Sequence, residues 1–249
     1  TTATLCLYAV VDTTPIAQNG ETIDIILENP SINVTVSSGS VGPTVTRNIT
    51  GSTTLAGPVL VQTHFHWRND NGTQATATSM TSGNEDTAVT NIATTLPVRL
   101  RMEVSNEGSV TTTPGSYRLE YGAKITTCSA IGTWTDVGAT GGAWDMYDSI
   151  HLTEATNTTN IATSTGGLTD ENTTFKTPNS AEKDTSSVIA TTTLGGAEFL
   201  EAEFSLLQTA NSGFNVTYCF RLTHSGSELN SYLKMQLIQQ HIFLIPQIL

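Results

Sequence analysis

Charged and aromatic residues are both scarce in this chain of 249 residues, at 13% and 6% of the sequence. The polar surface must therefore come from uncharged side chains, and threonine, serine, asparagine and glycine are abundant. Threonine is β-branched and suits a pleated, half-exposed sheet better than a helix. Length and composition together predict one large β domain, or one such domain with a small appendage.

Basic residues are especially few. The chain has 10 lysines and arginines and 22 aspartates and glutamates, which gives a formal net charge of −12. Nucleic-acid binding depends on clustered basic side chains that neutralise phosphates. The sequence has no such run, so nucleic acid is not an expected partner. An acidic, sparsely charged surface instead suits calcium, a cationic surface or plain solubility.

Long apolar runs are lacking too, since no stretch approaches the ~20 residues that a membrane-spanning helix needs, and membrane insertion is not expected. The sequence starts Thr1-Thr2-Ala3 rather than with methionine, which favours a processed, exported chain. Six Asn-x-Ser/Thr sequons agree with an extracellular or cell-surface location, although a threonine-rich chain also produces sequons by chance. These candidate glycosylation sites are Asn33, Asn48, Asn71, Asn157, Asn172 and Asn215.

Cysteine is limited to Cys6, Cys128 and Cys219. Cys128 follows one predicted strand and Cys219 lies within another. We predict a disulfide between these two, which fits an oxidising compartment. Cys6 is then the odd cysteine, which in a secreted protein indicates a free or intermolecular thiol. The alternative for Cys128 and Cys219 is a pair of reduced, buried thiols.

Alternation with a period of two residues recurs along the chain and predicts strands with one buried and one solvent-facing side. In one of them Leu100 faces the core while Arg101 and Glu103 face water. The predicted strands are 4–11, 22–27, 32–37, 44–49, 61–67, 74–79, 98–104, 117–124, 200–206 and 216–223. Asp70-Asn71-Gly72 predicts a hairpin turn leading into 74–79. The predicted fold is all-β, a β-sandwich or jelly roll, with long loops and short strands across residues 132–178.

Three regions follow from these patterns: residues 1–20 as an N-terminal strand segment, residues 21–233 as the sandwich, and residues 234–249 as an apolar tail. Residues 21–58 are alternatively a separate small β portion. In the first region Leu5, Leu7, Ala9 and Val11 share one strand face. That face suits either an ordinary first strand or an extension that completes a neighbour's sheet. The tail is a buried strand, an assembly tail or a sequence artefact such as a frameshift.

Four short segments carry a resemblance to a known group of proteins. They are 65–72 (FHWRNDNG), 100–106 (LRMEVSN), 116–122 (SYRLEYG) and 217–222 (TYCFRL). As an ordered set they resemble β domains of large predicted surface proteins from uncultivated bacteria, notably the candidate-phyla radiation. The resemblance covers roughly residues 61–232, and it implies a β fold and a secreted or cell-surface location. No established activity comes with it.

Two pairs of ionisable residues are candidates for chemistry. His64 and His66 are two apart on a strand and can supply two metal ligands, but no cysteine or carboxylate close in sequence completes a site. A polar sheet face is the preferred interpretation of this pair. Glu201 and Glu203 are also two apart, whereas paired catalytic carboxylates act across a cleft at a set separation. We interpret Glu201 and Glu203 as part of a solvated sheet face.

Loop residues provide the remaining candidates. Oxygen ligands on loops can bind calcium, and the acidic residues of the loop-rich middle are Asp145, Asp148, Asp170 and Glu171. The repeated aspartate pattern of a calcium loop is lacking, so calcium is a secondary hypothesis and no other cofactor is expected. Trp134 and Trp144 lie near long loops, where they either contact a sugar ligand or, more commonly in a sandwich, belong to the core.

The expected function is structural and not enzymatic, because no nucleophile elbow, phosphate-binding loop or zinc-protease motif occurs. The preferred hypothesis is a subunit of an extracellular filament, pilus-like fibre or surface layer, in which an extended strand from one copy joins the sheet of the next. The partner is then a second copy of the chain. The alternative is a cell-surface adhesin that binds glycans, and a jelly-roll viral capsid protein is a weaker alternative.

Overall fold

The structure is a computed structural model that describes residues 19–48 and 50–233 together with the backbone of residues 236–239. The chain divides into two compact units, Thr1–Gly57 and Pro58–Leu249. Nearly all regular structure in the described residues is β-strand, which confirms the predicted all-β class. Two of its sheets have seven strands each, and they form the sandwich.

The first unit contains very short elements. They are β1 (Thr22–Ile23), β2 (Ile26–Leu27), α1 (Pro30–Asn33), β3 (Arg47–Asn48) and β4 (Thr53–Thr54). β1 pairs with β4 and β2 pairs with β3, both antiparallel. The strand predicted at 32–37 is wrong, because a helical turn begins there. Asn29 caps this turn by accepting a hydrogen bond from the Ser31 amide at 3.1 Å, and Pro30 is at the first helical position.

Apolar side chains of the first unit are mostly exposed. Pro30 is the one buried residue among those described between 19 and 57. Seven large apolar residues are exposed instead: Ile25, Ile26, Leu27, Ile32, Val34, Val36 and Val45. The described part of this unit therefore has no hydrophobic core of its own.

The first sheet of the second unit is built on three long antiparallel strands. Its order is β10-β14-β7-β5-β17, and β11 and β12 pair in parallel with β14. The bounds are β5 (Leu60–Asn69), β7 (Val98–Asn106), β10 (Trp144–Met146), β11 (Thr174–Phe175), β12 (Glu182–Lys183), β14 (Glu198–Gln208) and β17 (Ser231–Tyr232). Short strands thus line both edges of this sheet.

The second sheet has the order β13-β8-β15-β18-β6, with β9 paired to β8 and β16 paired to β15. The bounds are β6 (Val89–Thr90), β8 (Gly115–Ala123), β9 (Thr135–Asp136), β13 (Val188–Thr192), β15 (Thr217–His224), β16 (Ser227–Glu228) and β18 (Gln236–Gln239). Two turns of 3-10 helix, Cys128–Ala130 and Thr163–Thr165, complete the described elements.

Part of the predicted apolar tail is a strand of this second sheet. β18 pairs antiparallel with Thr217–Phe220 of β15 and parallel with β6. The rest of the 234–249 region lies outside the described residues. So do Cys6 and the predicted N-terminal strand with Leu5, Leu7, Ala9 and Val11.

The core lies between the two sheets and is formed by the apolar positions that alternation predicts on β7, β8, β14 and β15. Aromatic rings fill its centre in edge-to-face contacts. Trp67 lies 5.5 Å from Phe220 between ring centres, and Trp144 lies 5.2 Å from the same Phe220 ring. This packing confirms the inward faces that the sequence predicts.

The chain turns back after β5 as predicted, but the second strand of the predicted hairpin, residues 74–79, does not form. Residues 74–76 are a turn, in which the amides of Thr76 and Ala77 both donate to the Thr73 carbonyl. A single bridge between Arg68 and Ser79 is all that remains of the predicted strand 74–79. The side chain of Asn71 holds the returning chain, because it accepts from the Thr78 amide at 3.0 Å.

The predicted disulfide between Cys128 and Cys219 is present. It joins the first 3-10 turn to β15 and closes a loop with a sequence separation of 91. A cross-link over so long a loop removes much conformational entropy from the unfolded chain. The disulfide also fits an oxidising compartment.

Candidate functional site

The face of the first sheet opposite the core carries a buried layer of ionisable side chains, which we call the ionic layer. Its principal members are all fully buried, with exposed fractions of 0%: Arg68, Arg99, Arg101, Glu103, Glu201 and Glu203. The interpretation of this face as solvated, including the pair Glu201 and Glu203, is wrong. Burying six charge-bearing side chains is costly unless they pair with one another.

Residues 149–184, which we call the covering segment, pack over this face and keep water away from it. The Thr158 hydroxyl donates to the main-chain carbonyl of Glu201 at 2.5 Å. Arg101 donates from Nη2 to the Thr159 carbonyl at 2.5 Å. At its end the segment joins the edge of the sheet as β12, where the amide of Glu203 donates to the Ala181 carbonyl at 3.0 Å. Alternation along a strand reveals which residues share a face, but not what covers that face, so alternation alone did not predict this layer.

Glu203 is the centre of the ionic layer because it accepts from three arginines. Arg68 Nη1 donates to both of its carboxylate oxygens, at 2.9 and 2.7 Å. Arg101 Nη1 donates at 2.7 Å and Arg99 Nη1 at 3.3 Å. Burial opposes the charge on Arg101, but Glu201 and Glu203 outweigh that effect and raise its pKa. Burial lowers the pKa of Arg68, but a guanidinium group stays protonated in proteins, so three positive charges share the Glu203 carboxylate.

Glu103 and Glu201 are directly opposite each other on β7 and β14. The Thr63 hydroxyl donates to Glu103 Oε1 at 2.5 Å, and Arg101 Nε forms an ion pair with Glu201 Oε2. Burial raises the pKa of Glu103 to about 8 and that of Glu201 to about 7. These two carboxyl groups are thus the proton-binding members of the layer near neutral pH.

His64 links β5 to two neighbouring segments. Its Nδ1 lies 2.8 Å from Asp86 Oδ2, and its Nε2 lies 3.0 Å from Glu171 Oε2 in the covering segment. The hydrogen bond with Asp86 is the main cause that raises the pKa of His64 to about 9, against the opposing effect of burial. The ring is protonated at neutral pH and donates to both carboxylates.

His66 has different surroundings from His64. Its Nδ1 faces the Gly167 carbonyl at 3.2 Å, and its Nε2 faces the Ser79 hydroxyl at 2.8 Å. Burial lowers the pKa of His66, so the ring is neutral. Two histidines held by separate partners do not converge on a common ion. Across the part of the chain that the structure describes, no group of three or more histidine, cysteine, aspartate or glutamate residues is arranged to hold a metal.

The acidic candidates for calcium have other partners. Asp170 accepts from Asn160 Nδ2 at 2.9 Å, and Glu171 binds His64. Asp145 accepts from the Met146 amide at 2.9 Å. Asp148 is exposed, two residues after the end of β10. Three of the four predicted ligands are thus engaged separately, and calcium stays a prediction from the sequence.

The two candidate ligand-binding tryptophans differ in exposure. Trp144 is 1% exposed and belongs to the core, which is the more common of the two roles that the sequence allows. Trp134 is half-buried, and the Arg221 guanidinium lies 4.3 Å from the centre of its ring. A polar groove of about 540 Å³ lies on the covering segment. Its lining residues are Asn160, Ala162, Thr163, Leu168, Thr169 and Asp170.

Five of the six sequon asparagines are exposed: Asn33, Asn48, Asn71, Asn157 and Asn215. Asn172 differs because it is half-buried, and its amide nitrogen is engaged, as is that of Asn71, which donates to the Thr78 hydroxyl at 2.8 Å. Asn172 donates to the Ser105 hydroxyl at 3.0 Å and to the Asn106 carbonyl at 3.2 Å. A glycan on that nitrogen would replace these hydrogen bonds, so Asn172 is the least suitable of the six.

Comparison with protein-family models, with curated proteins and with solved structures finds no match to this chain. Within residues 19–48 and 50–233, no helix is long and apolar enough to span a membrane.

Proposed function

We propose that the protein is a structural subunit of an extracellular filament, pilus-like fibre or surface layer, and that its copies assemble by strand exchange. The observation that carries this proposal is the first unit, which exposes seven large apolar side chains and buries Pro30 alone among its described residues. Six of the seven fall between residues 25 and 36, and a cluster of exposed apolar side chains is characteristic of a binding face.

The partner in this proposal is a second copy of the chain. Two-residue strands joined by four pairing positions are too short for an independent β unit, which ordinarily needs three or more strands on a hydrophobic face. Packing Ile26 and Ile32 against another copy would remove apolar surface from water at about 25 cal/mol for each Å². Such packing would stabilise the unit and link the subunits in one step.

Strand exchange, in which a strand of one copy joins a sheet of the next, is the second contact that links the subunits. The first candidate donor is the N-terminal strand with Leu5, Leu7, Ala9 and Val11 on one face, and the second is the tail 234–249. Residues 236–239 already add a strand beside β15 within the chain. Main-chain pairing of the same kind between copies would give affinity, and alternate side chains would give specificity.

The apolar face is tested by sedimentation velocity over a range of concentrations. Wild-type protein is expected to form large polymers, and Ile26→Lys combined with Ile32→Lys is expected to remain monomeric. The matched control is Ile150→Lys, because Ile150 is 92% exposed but lies in the second unit. Polymerisation of the double variant at the wild-type concentration would overturn the proposed role of this face.

The donor strand is tested by charge substitutions on its two faces. Leu7→Lys places a charge on the apolar face and is expected to abolish polymers, whereas Thr4→Lys lies on the opposite face and is expected to leave them intact. Loss of polymers from both variants, or from neither, would refute the N-terminal strand as the donor. In the latter case the tail is the segment to change next.

An extracellular or cell-surface location forms part of the proposal. The disulfide supports it, since such bonds persist in oxidising compartments. The resemblance to surface proteins of uncultivated bacteria supports it as well. Glycosylation at the exposed sequons would be consistent with this location and is tested by mass spectrometry of the native protein.

A glycan-binding adhesin is the alternative that one observation favours. Trp134 is half-buried, and the Arg221 guanidinium lies 4.3 Å from the centre of its ring. The groove on the covering segment is a separate place, since Trp134 is not one of its lining residues. Aromatic faces and convergent polar groups are what a sugar ligand needs. On a glycan array, binding by the monomer that is lost in Trp134→Ala but retained in Ile150→Ala would favour the adhesin. Absence of binding would remove it.

A further inference from the structure

Glu103 and Glu201 face each other across two paired strands, and in each carboxyl group one oxygen atom has no hydrogen-bond partner among the described residues. Directly opposite residues on antiparallel strands have Cβ atoms about 4.5–5.5 Å apart, and both side chains are fully buried. Among the described residues, Glu103 Oε2 and Glu201 Oε1 accept no hydrogen bond. A buried carboxylate oxygen without a donor is costly, so one of these groups needs a proton of its own.

The charge balance of the layer points the same way. Three arginines face four carboxyl groups, since Arg99 Nε also donates to Asp70 at 2.7 Å. Ionising all four leaves one negative charge in excess in a site closed to water. Glu182, at the margin of the layer, would add to that excess, and burial raises its pKa. One bound proton offsets the excess among the three arginines and the first four carboxyl groups, since His64 is paired separately with Asp86 and Glu171.

We propose that Glu103 and Glu201 form a carboxyl pair that holds one proton in the folded protein, and that losing this proton in mild alkali releases the covering segment from the first sheet. The inference goes beyond the proposed structural role, because it assigns a pH-dependent conformational change to the second unit alone. The outcome is independent of whether the chain polymerises.

Charged and hydrogen-bonding groups surround the carboxyl pair, and they come from β5, β7, β14 and the covering segment. β5 contributes Thr63 and protonated His64, and β7 contributes Arg101. β14 contributes Glu203. The covering segment contributes the Asp170 carboxylate and the Glu171 amide. The Thr63 hydroxyl, His64 and the Glu171 amide favour ionisation of Glu103, and Arg101 favours ionisation of Glu201. Burial is the largest effect on both groups, and together with the neighbouring carboxylates it outweighs them.

The sign of the pH dependence follows from the direction of the shifts. The pKa of Glu103 rises from 4.5 to about 8 on folding. The stabilisation from its proton is therefore complete below pH 4.5 and is lost as the pH rises towards 8. One proton released on opening changes the opening equilibrium by about tenfold for each pH unit in that window. Between pH 6 and pH 8 the closed state thus becomes about a hundredfold less favoured against the open one.

Hydrogen–deuterium exchange of residues 149–184 tests this, with rates corrected for the intrinsic effect of pH. Wild-type protein is expected to lose protection in this segment between pH 6 and pH 8. Glu103→Gln keeps a neutral group at all pH values and is expected to retain its protection. Equal loss of protection in both proteins, or none in wild type, would overturn the proposal.

Infrared spectroscopy tests the proton without relying on a variant that folds. Wild-type protein at pH 6 is expected to show the carbonyl band of a buried, protonated carboxyl group, which disappears by pH 9. Glu201→Gln provides a second variant and is expected to remove the titration over this range. A wild-type spectrum without a protonated carboxyl band at pH 6 would refute the shared proton.

Discussion

Removing the negative charge of Glu203 is expected to destabilise the second unit severely. Glu203→Gln preserves the size of the side chain but leaves Arg68, Arg99 and Arg101 facing one buried amide. Glu203 receives four hydrogen bonds from these guanidinium groups. Breaking a buried ion pair by removing one partner costs about 3–5 kcal/mol. The total stability of a domain is about 5–15 kcal/mol.

The measurement is denaturant unfolding followed by the fluorescence of Trp67 and Trp144, which lie in the core of this unit. Glu228→Gln is the matched control, because Glu228 pairs with Arg221 but its side chain is 68% exposed. Exposed pairs contribute about 0–1 kcal/mol. Similar small losses in both variants would refute the account of Glu203 as the centre of a buried network.

Three further predictions rest on single contacts. Cys128→Ser removes the disulfide and should lower the free energy of unfolding by about 4–5 kcal/mol from loop entropy, which unfolding with and without reductant would show; an unchanged stability would contradict it. His64→Gln should lower the free energy of unfolding by its full amount below pH 6.5, and this loss should disappear as the pH rises through about 9, because folding raises the pKa of His64. A difference in unfolding free energy between variant and wild type that stays constant from pH 6 to pH 10 would contradict this. Trp144→Ala should cost about 3–5 kcal/mol, whereas Trp134→Ala should cost about 1 kcal/mol, and reversal of that order in thermal unfolding would show that the core is misassigned.

The core of the sandwich is predictable from the sequence because alternation on a strand reports its two faces directly. The apolar positions of β7 and β14, such as Leu100 and Phe204, are where the pattern places them. The disulfide was predictable as well, because Cys128 follows one predicted strand and Cys219 lies within another, which left this pair as the natural one to join. These inferences need only local sequence and general chemistry.

The ionic layer was not predictable, since the fate of Arg101 and Glu203 depends on the covering segment, which is distant in sequence. A strand in which charged and apolar residues alternate has the same sequence pattern whether its charged face is covered by water or by another segment of the chain. One signal was present: three arginines among the 10 basic residues fall at 68, 99 and 101, on two strands that pair. Alternate glutamates on a third strand could have suggested a matching partner.

Local turn chemistry explains the two strands that failed to form. Pro30 and the capping side chain of Asn29 favour a helical turn over the strand predicted from residue 32. Beyond β5, the Thr73 carbonyl captures two amides that a hairpin strand would need. Both segments have the alternating pattern, but short-range hydrogen bonds satisfy the backbone first.

Assembly of this protein into an extended structure can be observed by negative-stain electron microscopy of the purified protein at moderate concentration. Regular fibres or a two-dimensional layer are expected, with a subunit repeat that disappears in the Ile26→Lys, Ile32→Lys variant. Dispersed single particles or closed shells from the wild-type protein would contradict it.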